Sequence, residues 1–403
     1  MIMNSSRIVD PVGARICFLV RGFDGGGAQR DAILLANELQ AQGFPSAIVT
    51  LQSSGPLRSL IRADVPVVDL GHGRKLRLAF APAALRRLLA TGRPKALVSS
   101  EAAANVLVVL ASRGLARETR PSIVLREVAS PLQAQTGDPY WQNRLAYRLI
   151  RFAYPCADLV LTLTAGARND LVSRFGVPAE KVANLGTNAV LTPQMRQRIG
   201  QLGHAPQPGH APQPGLIVSV GRLSPEKGYA TLIEAFAQLR QTRPARLTIV
   251  GEGDERGNLE ALIEAKGLSG DVSLPGHNPD PLSVVSQASL FVSSSSHEGL
   301  GNALIEAMAC GVPVVATDAP YGPREILEHG RLGRLVTVGD ATALAGAMAA
   351  TLDQPTDGAI LQARAGEFSV ERSAERFIQL LQAAGIAGKA EPSEPRVETT
   401  VSI

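Results

Sequence analysis

Residues 291–327 read FVSSSSHEGLGNALIEAMACGVPVVATDAPYGPREIL, and this stretch decides the fold class. Ser289-Leu290-Phe291-Val292 reads as a short buried strand. A serine-rich loop leaves it. Asn302 to Cys310 has the Ala, Leu, Ile, Glu and Met content of a helix. Gly311 stops that helix, and Pro313 follows where a proline is expected just past a C-terminus. Val312 to Thr317 is the next strand. Strand, loop, helix and strand in that order form the repeat of a parallel α/β sheet.

Two carboxylates punctuate the unit. Glu298 sits in the loop at the carboxyl end of the strand, and Glu306 lies inside the helix. Gly299 and Gly301 strip side chains from the turn between them, so the backbone around Leu300 and Asn302 can approach a ligand closely. A helix N-terminus there favours an anion, through its free N–H donors and its dipole. In open α/β sheets ligands bind outside the carboxyl ends of strands. A phosphate that bears a sugar fits such a cradle. An ordinary βαβ unit with Glu306 on a solvated face fits it as well.

Working outward, Leu216 to Val220 is a strand followed by GRLSPEKG, then a helix over about 229–241. Arg222 and Lys227 flank a tight turn and can place two cations on one pyrophosphate through charge-assisted hydrogen bonds. Leu247 to Gly251 and Val272 to Leu274 are further strands, the latter leading into Pro275-Gly276-His277. Helical patterns cover an Ala-rich stretch from Asp340 and residues 368–384. In the first half, residues 15–20 form the first strand. The loop RGFDGGGAQR follows, then a helix from about Asp31 and a strand over 44–51. Gly25, Gly26 and Gly27 expose a nest of N–H groups or simply make a tight turn. They lack the G-x-G-x-x-G spacing of a dinucleotide site. Strands over 96–100, 123–126 and 159–164 end in Glu101, in Arg126-Glu127 and in a helix over about 165–175. Residues 203–215 read GHAPQPGHAPQPG, a tandem repeat without core-forming residues that suits an extended tether.

These motifs together resemble glycosyltransferase family 4, retaining GT-B enzymes that use nucleotide sugars. Glu298 and Glu306 match the family's Glu-x7-Glu pair in the context HEGLGNALIEAMACGVPVVATD, with Gly301 where the family often has Pro. GRLSPEKG matches its phosphate clamp, and GGGAQR its first glycine loop. The resemblance implies a GT-B fold, an α/β architecture of two Rossmann-like domains facing a cleft. It divides the chain into an acceptor-binding domain (1–200), the repeat linker (201–215) and a nucleotide-sugar domain (216–367). A helix (368–388) returns to the first domain, and a Pro/Glu/Thr-rich tail (389–403) reads as disordered. It also implies a retaining, metal-independent transferase. The donor would be a nucleotide sugar, a UDP-hexose or UDP-N-acetylhexosamine, with no further cofactor and a glycan or lipid-linked acceptor, as in surface polysaccharide or lipopolysaccharide assembly. By the same analogy Glu298 holds sugar hydroxyls, Glu306 the ribose, and Arg222 and Lys227 the leaving diphosphate. Gly26, Gly27, Gly276, His277, Gly299, Leu300, Gly301 and Asn302 line the donor. The family's histidine near 126–131 is replaced by REVASP, so Glu101, Arg126 and Glu127 stand as acceptor candidates only. A non-catalytic nucleotide-sugar-binding subunit and a GT-B epimerase are the alternatives.

Composition agrees with a globular chain: 403 residues, 45% hydrophobic, 19% charged, net charge +4. Cys17, Cys156 and Cys310 are scattered without metal-ligand or disulfide spacing, which points to a reducing compartment. Ile16 to Val20 is too short for a signal peptide, and no run reaches membrane-spanning length. The expected location is the cytoplasm, including the inner face of the membrane. Residues 71–95 hold seven basic and no acidic side chains. Arg144, Arg148 and Arg151 lie among aromatic residues, the make-up of an interfacial helix. These sets read as solvated faces or as docking sites for an anionic membrane or acceptor. No recognition motif for nucleic acid accompanies them.

Overall fold

The computed structural model describes residues 15–386 apart from 25, 72–76, 117, 119, 130, 133–140 and 204–212. The repeat from 204 to 212, the tail beyond 386 and Gly25 therefore lie outside the described residues. Thirteen strands form two sheets among the described residues, each wholly parallel in its recorded pairings.

The first sheet contains β1 (Ile16–Val20), β2 (Ser46–Thr50), β3 (Val67–Asp69), β4 (Ala96–Ser99), β5 (Ser122–Glu127), β6 (Leu159–Thr162) and β7 (Val182–Asn184), in the order β3-β2-β1-β4-β5-β6-β7. Phe18 of β1 stands opposite Ile48 of β2 and Val98 of β4. These strands are buried at every position rather than at alternate ones, as in a parallel sheet covered on both faces. The crossovers are helical. α1 (Gly27–Ala41) joins β1 to β2, α2 (Arg77–Thr91) precedes β4, and α3 (Ala102–Ser112) precedes β5. α4 (Trp141–Ala153), α5 (Ala165–Ser173) and α6 (Pro193–Leu202) follow.

The second sheet contains β8 (Leu216–Val220), β9 (Arg246–Val250), β10 (Val272–Gly276), β11 (Leu290–Ser293), β12 (Val314–Thr317) and β13 (Arg334–Val336), in the order β10-β9-β8-β11-β12-β13. Its helices are α7 (Tyr229–Arg240), α8 (Arg256–Ala265), α9 (Asn302–Ala309), α10 (Gly322–Ile326), α11 (Ala341–Asp353) and α12 (Gly358–Gly366), and α13 (Val370–Ala383) follows them in the chain. Leu232, Ile233, Phe236 and Leu239 of α7 share one core cluster with Leu247 and Ile249 of β9 and Leu344 and Met348 of α11.

The chain divides into two compact units. One holds residues 1–126, 149–160 and 374–403, and the other holds 127–148 and 161–373. Within the first unit Phe377 of α13 packs on Phe18 of β1, with ring centroids 5.8 Å apart. No helix among the described residues is long and apolar enough to cross a membrane.

Both sheets have the 3-2-1-4-5-6 progression of a doubly wound fold. In each, chain order reverses beside the first strand: between β1 and β4, and between β8 and β11. The loops leaving the carboxyl ends of those strands frame the crevice where such sheets bind ligands.

Candidate functional site

In the second sheet, the two loops at the reversal are 221–228 after β8 and 294–301 after β11. Serine groups stitch them together. Ser294 Oγ donates to the Lys227 carbonyl at 2.8 Å. The Ser296 amide and hydroxyl both donate to the Glu226 carbonyl, at 2.8 and 3.2 Å. Thr317 Oγ1 at the end of β12 donates to the Ser295 carbonyl at 2.5 Å. The close approach of the loops requires glycine: Gly228 adopts φ 62°, and a Cβ there would lie 2.2 Å from the Ser294 carbonyl oxygen.

This stitching sets one ionic contact. Lys227 Nζ donates to Glu298 Oε1 at 2.6 Å, and Ser295 Oγ donates to the same oxygen at 2.7 Å. The two charged side chains are 24% and 15% exposed, so each keeps a wet edge. Arg222 is exposed at the head of the same turn, where its carbonyl accepts from the Ser224 amide at 2.9 Å. Glu226 reports both cations. Burial would raise its carboxyl, but the Ser224 hydroxyl at 2.6 Å, its own amide and the charges of Lys227 and Arg222 outweigh that and hold it below the usual carboxylate range. Tyr229 lies beneath. Burial first, then the charges of Glu298 and Glu226, push its phenol above the ordinary value. Gly221 makes room for that ring, since a Cβ there would lie 2.7 Å from the Tyr229 hydroxyl.

Glu298 leads through Gly299 and buried Leu300 to Gly301, the residue preceding α9. Gly301 takes φ 111°, a backbone region closed to proline. The turn therefore has its own geometry at the position where the resemblance would place Pro. Gly322 seals it from behind, because a Cβ there would lie 1.5 Å from the Leu300 carbonyl oxygen. Asn302 at the first turn of α9 accepts from Asn188 at 3.3 Å. Glu306 is half-buried about one turn into the helix. Its charge, after burial itself, helps push the Cys310 thiol up to about 12. At the end of β10, Gly276 has φ 89° and lies against Glu252, whose carboxylate is held below its usual range by Arg256 at 2.6 Å. His277 is exposed.

At the other reversal point, Gly26 and Gly27 are exposed at the start of α1, which begins earlier than the predicted Asp31. Gln29 Nε2 donates to Glu101 Oε1 at 2.7 Å, joining the β1 and β4 exits. Arg21 Nε lies 4.0 Å from Glu101 Oε2.

The remaining acceptor candidates are buried. Arg126 is 1% exposed, ion-paired with Asp31 of α1, with its Nη1 3.4 Å from Ser100 Oγ. Glu127 is 2% exposed and accepts from the Tyr147 hydroxyl at 3.0 Å and the Ala129 amide at 3.2 Å. Both charges meet partners inside the protein. Sequence reading missed Ser295, Gln29 and Tyr229. The four-serine run and the Gln of GGGAQR were visible, but nothing local says which hydroxyl or amide meets which carboxylate.

Comparison with known proteins follows the same two halves. The profile of Glycosyl transferases group 1 matches residues 204–371, and that of the Glycosyl transferase 4-like domain matches residues 26–187. The lipopolysaccharide core biosynthesis glycosyltransferase LpsE of Rhizobium meliloti is 30% identical over 367 residues, covering 88% of this chain and 96% of that one. The N-acetylgalactosamine-N,N'-diacetylbacillosaminyl-diphospho-undecaprenol 4-alpha-N-acetylgalactosaminyltransferase of Campylobacter jejuni is 32% identical over 232 residues, 57% of this chain and 60% of that protein. The solved structure of Anabaena HepE in complex with UDP and glucose superposes with TM-score 0.69 at 23% identity, over 92% of this chain and all of that one.

Proposed function

The chain belongs to the family 4 type of GT-B glycosyltransferases, and from that membership we propose a retaining transferase that moves a hexose or N-acetylhexosamine from a UDP-sugar to a lipid-linked glycan. The observation that carries this reading is the Lys227–Glu298 contact at the β8/β11 reversal. It sets a cation for a diphosphate beside a carboxylate for sugar hydroxyls. Glu306, about one turn into α9, suits the ribose. Arg222 and Lys227 neutralise the diphosphate as it departs, in the role a metal ion has in other transferases. Amides of the Gly299–Asn302 turn add preorganised donors, and such electrostatic stabilisation is often the largest catalytic contribution.

The bond from the anomeric carbon to the β-phosphate oxygen breaks, and its electron pair goes to the phosphate. The acceptor oxygen bonds the same carbon from the same face, and its proton passes to the departing phosphate. The relatives named for lipopolysaccharide core biosynthesis and for transfer to a diphospho-undecaprenol glycan support an acceptor of surface-glycan type, met at the cytoplasmic face of the membrane. Basic residues of 71–95, such as exposed Arg87 on α2, suit that anionic surface.

The test is UDP release from a panel of nucleotide sugars, with and without a lipid-linked acceptor. Acceptor-dependent release from a UDP-hexose or UDP-N-acetylhexosamine, with the α-linkage kept, is the expected result. Binding of the donor without transfer to any acceptor would turn the reading toward a non-catalytic subunit. Release only of an inverted product would remove the retaining mechanism.

A further inference from the structure

Helix α4 carries an outward face that the fold does not use. Its inner side is ordinary core: Ala146, Tyr147, Ile150 and Ala153 are buried. On the outer side Leu145, Leu149 and Phe152 are 47%, 38% and 63% exposed. Their spacing of four and three residues sets them in one stripe along the helix. Three of the seven large apolar side chains exposed among the described residues thus lie on this one helix. Arg144, Arg148 and Arg151 repeat the same spacing one position earlier, and all three are exposed. They form a parallel cationic stripe beside the apolar one. No Asp or Glu occurs between Trp141 and Ala153. The Arg151 guanidinium lies over the Phe152 ring, 5.4 Å from its centroid, so the most exposed aromatic is already paired with a cation.

We propose that this face of α4 docks on an anionic lipid bilayer. Leu145, Leu149 and Phe152 enter the headgroup–acyl boundary, while Arg144, Arg148 and Arg151 engage lipid phosphates. An apolar ridge with cations alongside and no anion matches what such a surface offers: hydrocarbon below, negative charge above. The arginine stems cover apolar surface while their heads stay at the phosphate level. The charge pattern also selects against a second copy of the chain. An isologous contact across this face would bring arginines toward arginines. The inference rests on the reading of an acceptor met at a bilayer, and it names a face distinct from the basic stretch 71–95.

The chain supplies its own reporter. Cys156 is exposed one turn beyond Phe152, with its thiol donating to the Phe152 carbonyl at 3.4 Å, whereas Cys17 and Cys310 are buried. An environment-sensitive fluorophore on Cys156 of the full chain is titrated with phosphatidylcholine vesicles, with and without phosphatidylglycerol. Binding and a blue shift with the anionic vesicles alone are expected. L145S/L149S/F152S should weaken that binding by about tenfold or more. R144Q/R148Q/R151Q should weaken it by about fivefold per cation, with the loss confined to low salt. UDP affinity and circular dichroism should stay unchanged in both variants.

If both variants bind vesicles as the wild type does, α4 is not the docking face, although the bilayer reading survives. If the wild type ignores anionic vesicles, both fail. If the serine variant instead converts a dimer to a monomer in light scattering, the face is a self-contact and the proposal is overturned.

Discussion

Lys227 Nζ and Ser295 Oγ converge on a single oxygen of Glu298, at 2.6 and 2.7 Å. The lysine and the serine–glutamate pair come from different loops, 221–228 and 294–301. The carboxylate is therefore held by both strand exits of the reversal point. One contact orders both groups that the proposed chemistry uses.

The pair should be measurable as a coupling. K227M, E298Q and the double variant form a cycle in urea denaturation. Contacting charges that are mostly desolvated show interaction energies of about 1–3 kcal/mol, whereas exposed pairs give almost none. The half-buried position predicts a coupling near the lower end, about 1 kcal/mol. In transfer kinetics K227M should lower kcat strongly. K227R should recover part of that loss, because Arg keeps the charge but changes the reach. Strict additivity of the two single variants would mean that the contact contributes nothing to the fold.

Gly228 is the steric condition for that arrangement. Its φ of 62° and the 2.2 Å approach to the Ser294 carbonyl leave no place for a methyl group. Gly228→Ala should cost about 2 kcal/mol or more and lower Tm by several degrees. Gly346, exposed within α11 with open space around it, is the control. Gly346→Ala should raise stability by about 0.5–1 kcal/mol, from helix propensity alone. Thermal melts of both variants check the contrast. A neutral Gly228→Ala would show that the two loops are not locked.

The parallel architecture and its switch points were legible because long apolar runs, glycine stops and glycine-rich turns are local signals. Most expected strands lie within a residue or two of their observed positions, such as Leu216–Val220 and Leu290–Ser293. The three-residue strands β3, β7 and β13 were not legible. Val67–Asp69, Val182–Asn184 and Arg334–Val336 are too short, and too exposed in part, to show a period. In the site, charge type and turn position identified Glu298 and Lys227. Their contact depends on serines beside Glu298 reaching the carbonyls of the other loop, 221–228, and that is tertiary information. The burial of Arg126 and Glu127 was not legible either. A charged pair at the end of a strand looks exposed in sequence, and only the fold supplies Asp31 and Tyr147 as interior partners.

The buried Arg126–Asp31 pair is itself testable. Removing one member of a buried ion pair leaves an uncompensated charge, at a cost of about 3–5 kcal/mol. Asp31→Leu should therefore destabilise strongly. Asp31→Leu with Arg126→Met should recover most of the loss, since apolar replacement of both partners is often neutral. Chemical denaturation of the three variants is the measurement. A mild Asp31→Leu, with acceptor affinity lost in Arg126→Met, would return Arg126 to the acceptor site.

The two carboxylates of the opening stretch should fail differently. Glu306 sits in α9, beyond the turn that carries Glu298. A ribose contact is present before and during reaction, so Glu306→Ala should weaken UDP and the UDP-sugar alike, by about tenfold or more. Such uniform loss appears mainly in KM. Glu298 has no partner on UDP once the sugar is absent. Glu298→Ala should leave UDP affinity within a few-fold, with Lys227 released to meet the diphosphate. It should lower kcat, because a misplaced sugar loses alignment at the reacting carbon. Glu298→Gln keeps the shape and the Ser295 contact but not the charge, and should fall between wild type and Glu298→Ala. Calorimetric titration with UDP and with the UDP-sugar, beside transfer kinetics, separates the roles. If Glu298→Ala weakens UDP as much as Glu306→Ala does, the division of labour is wrong. If neither substitution changes binding or turnover, both carboxylates serve the fold and the proposed chemistry loses its anchor.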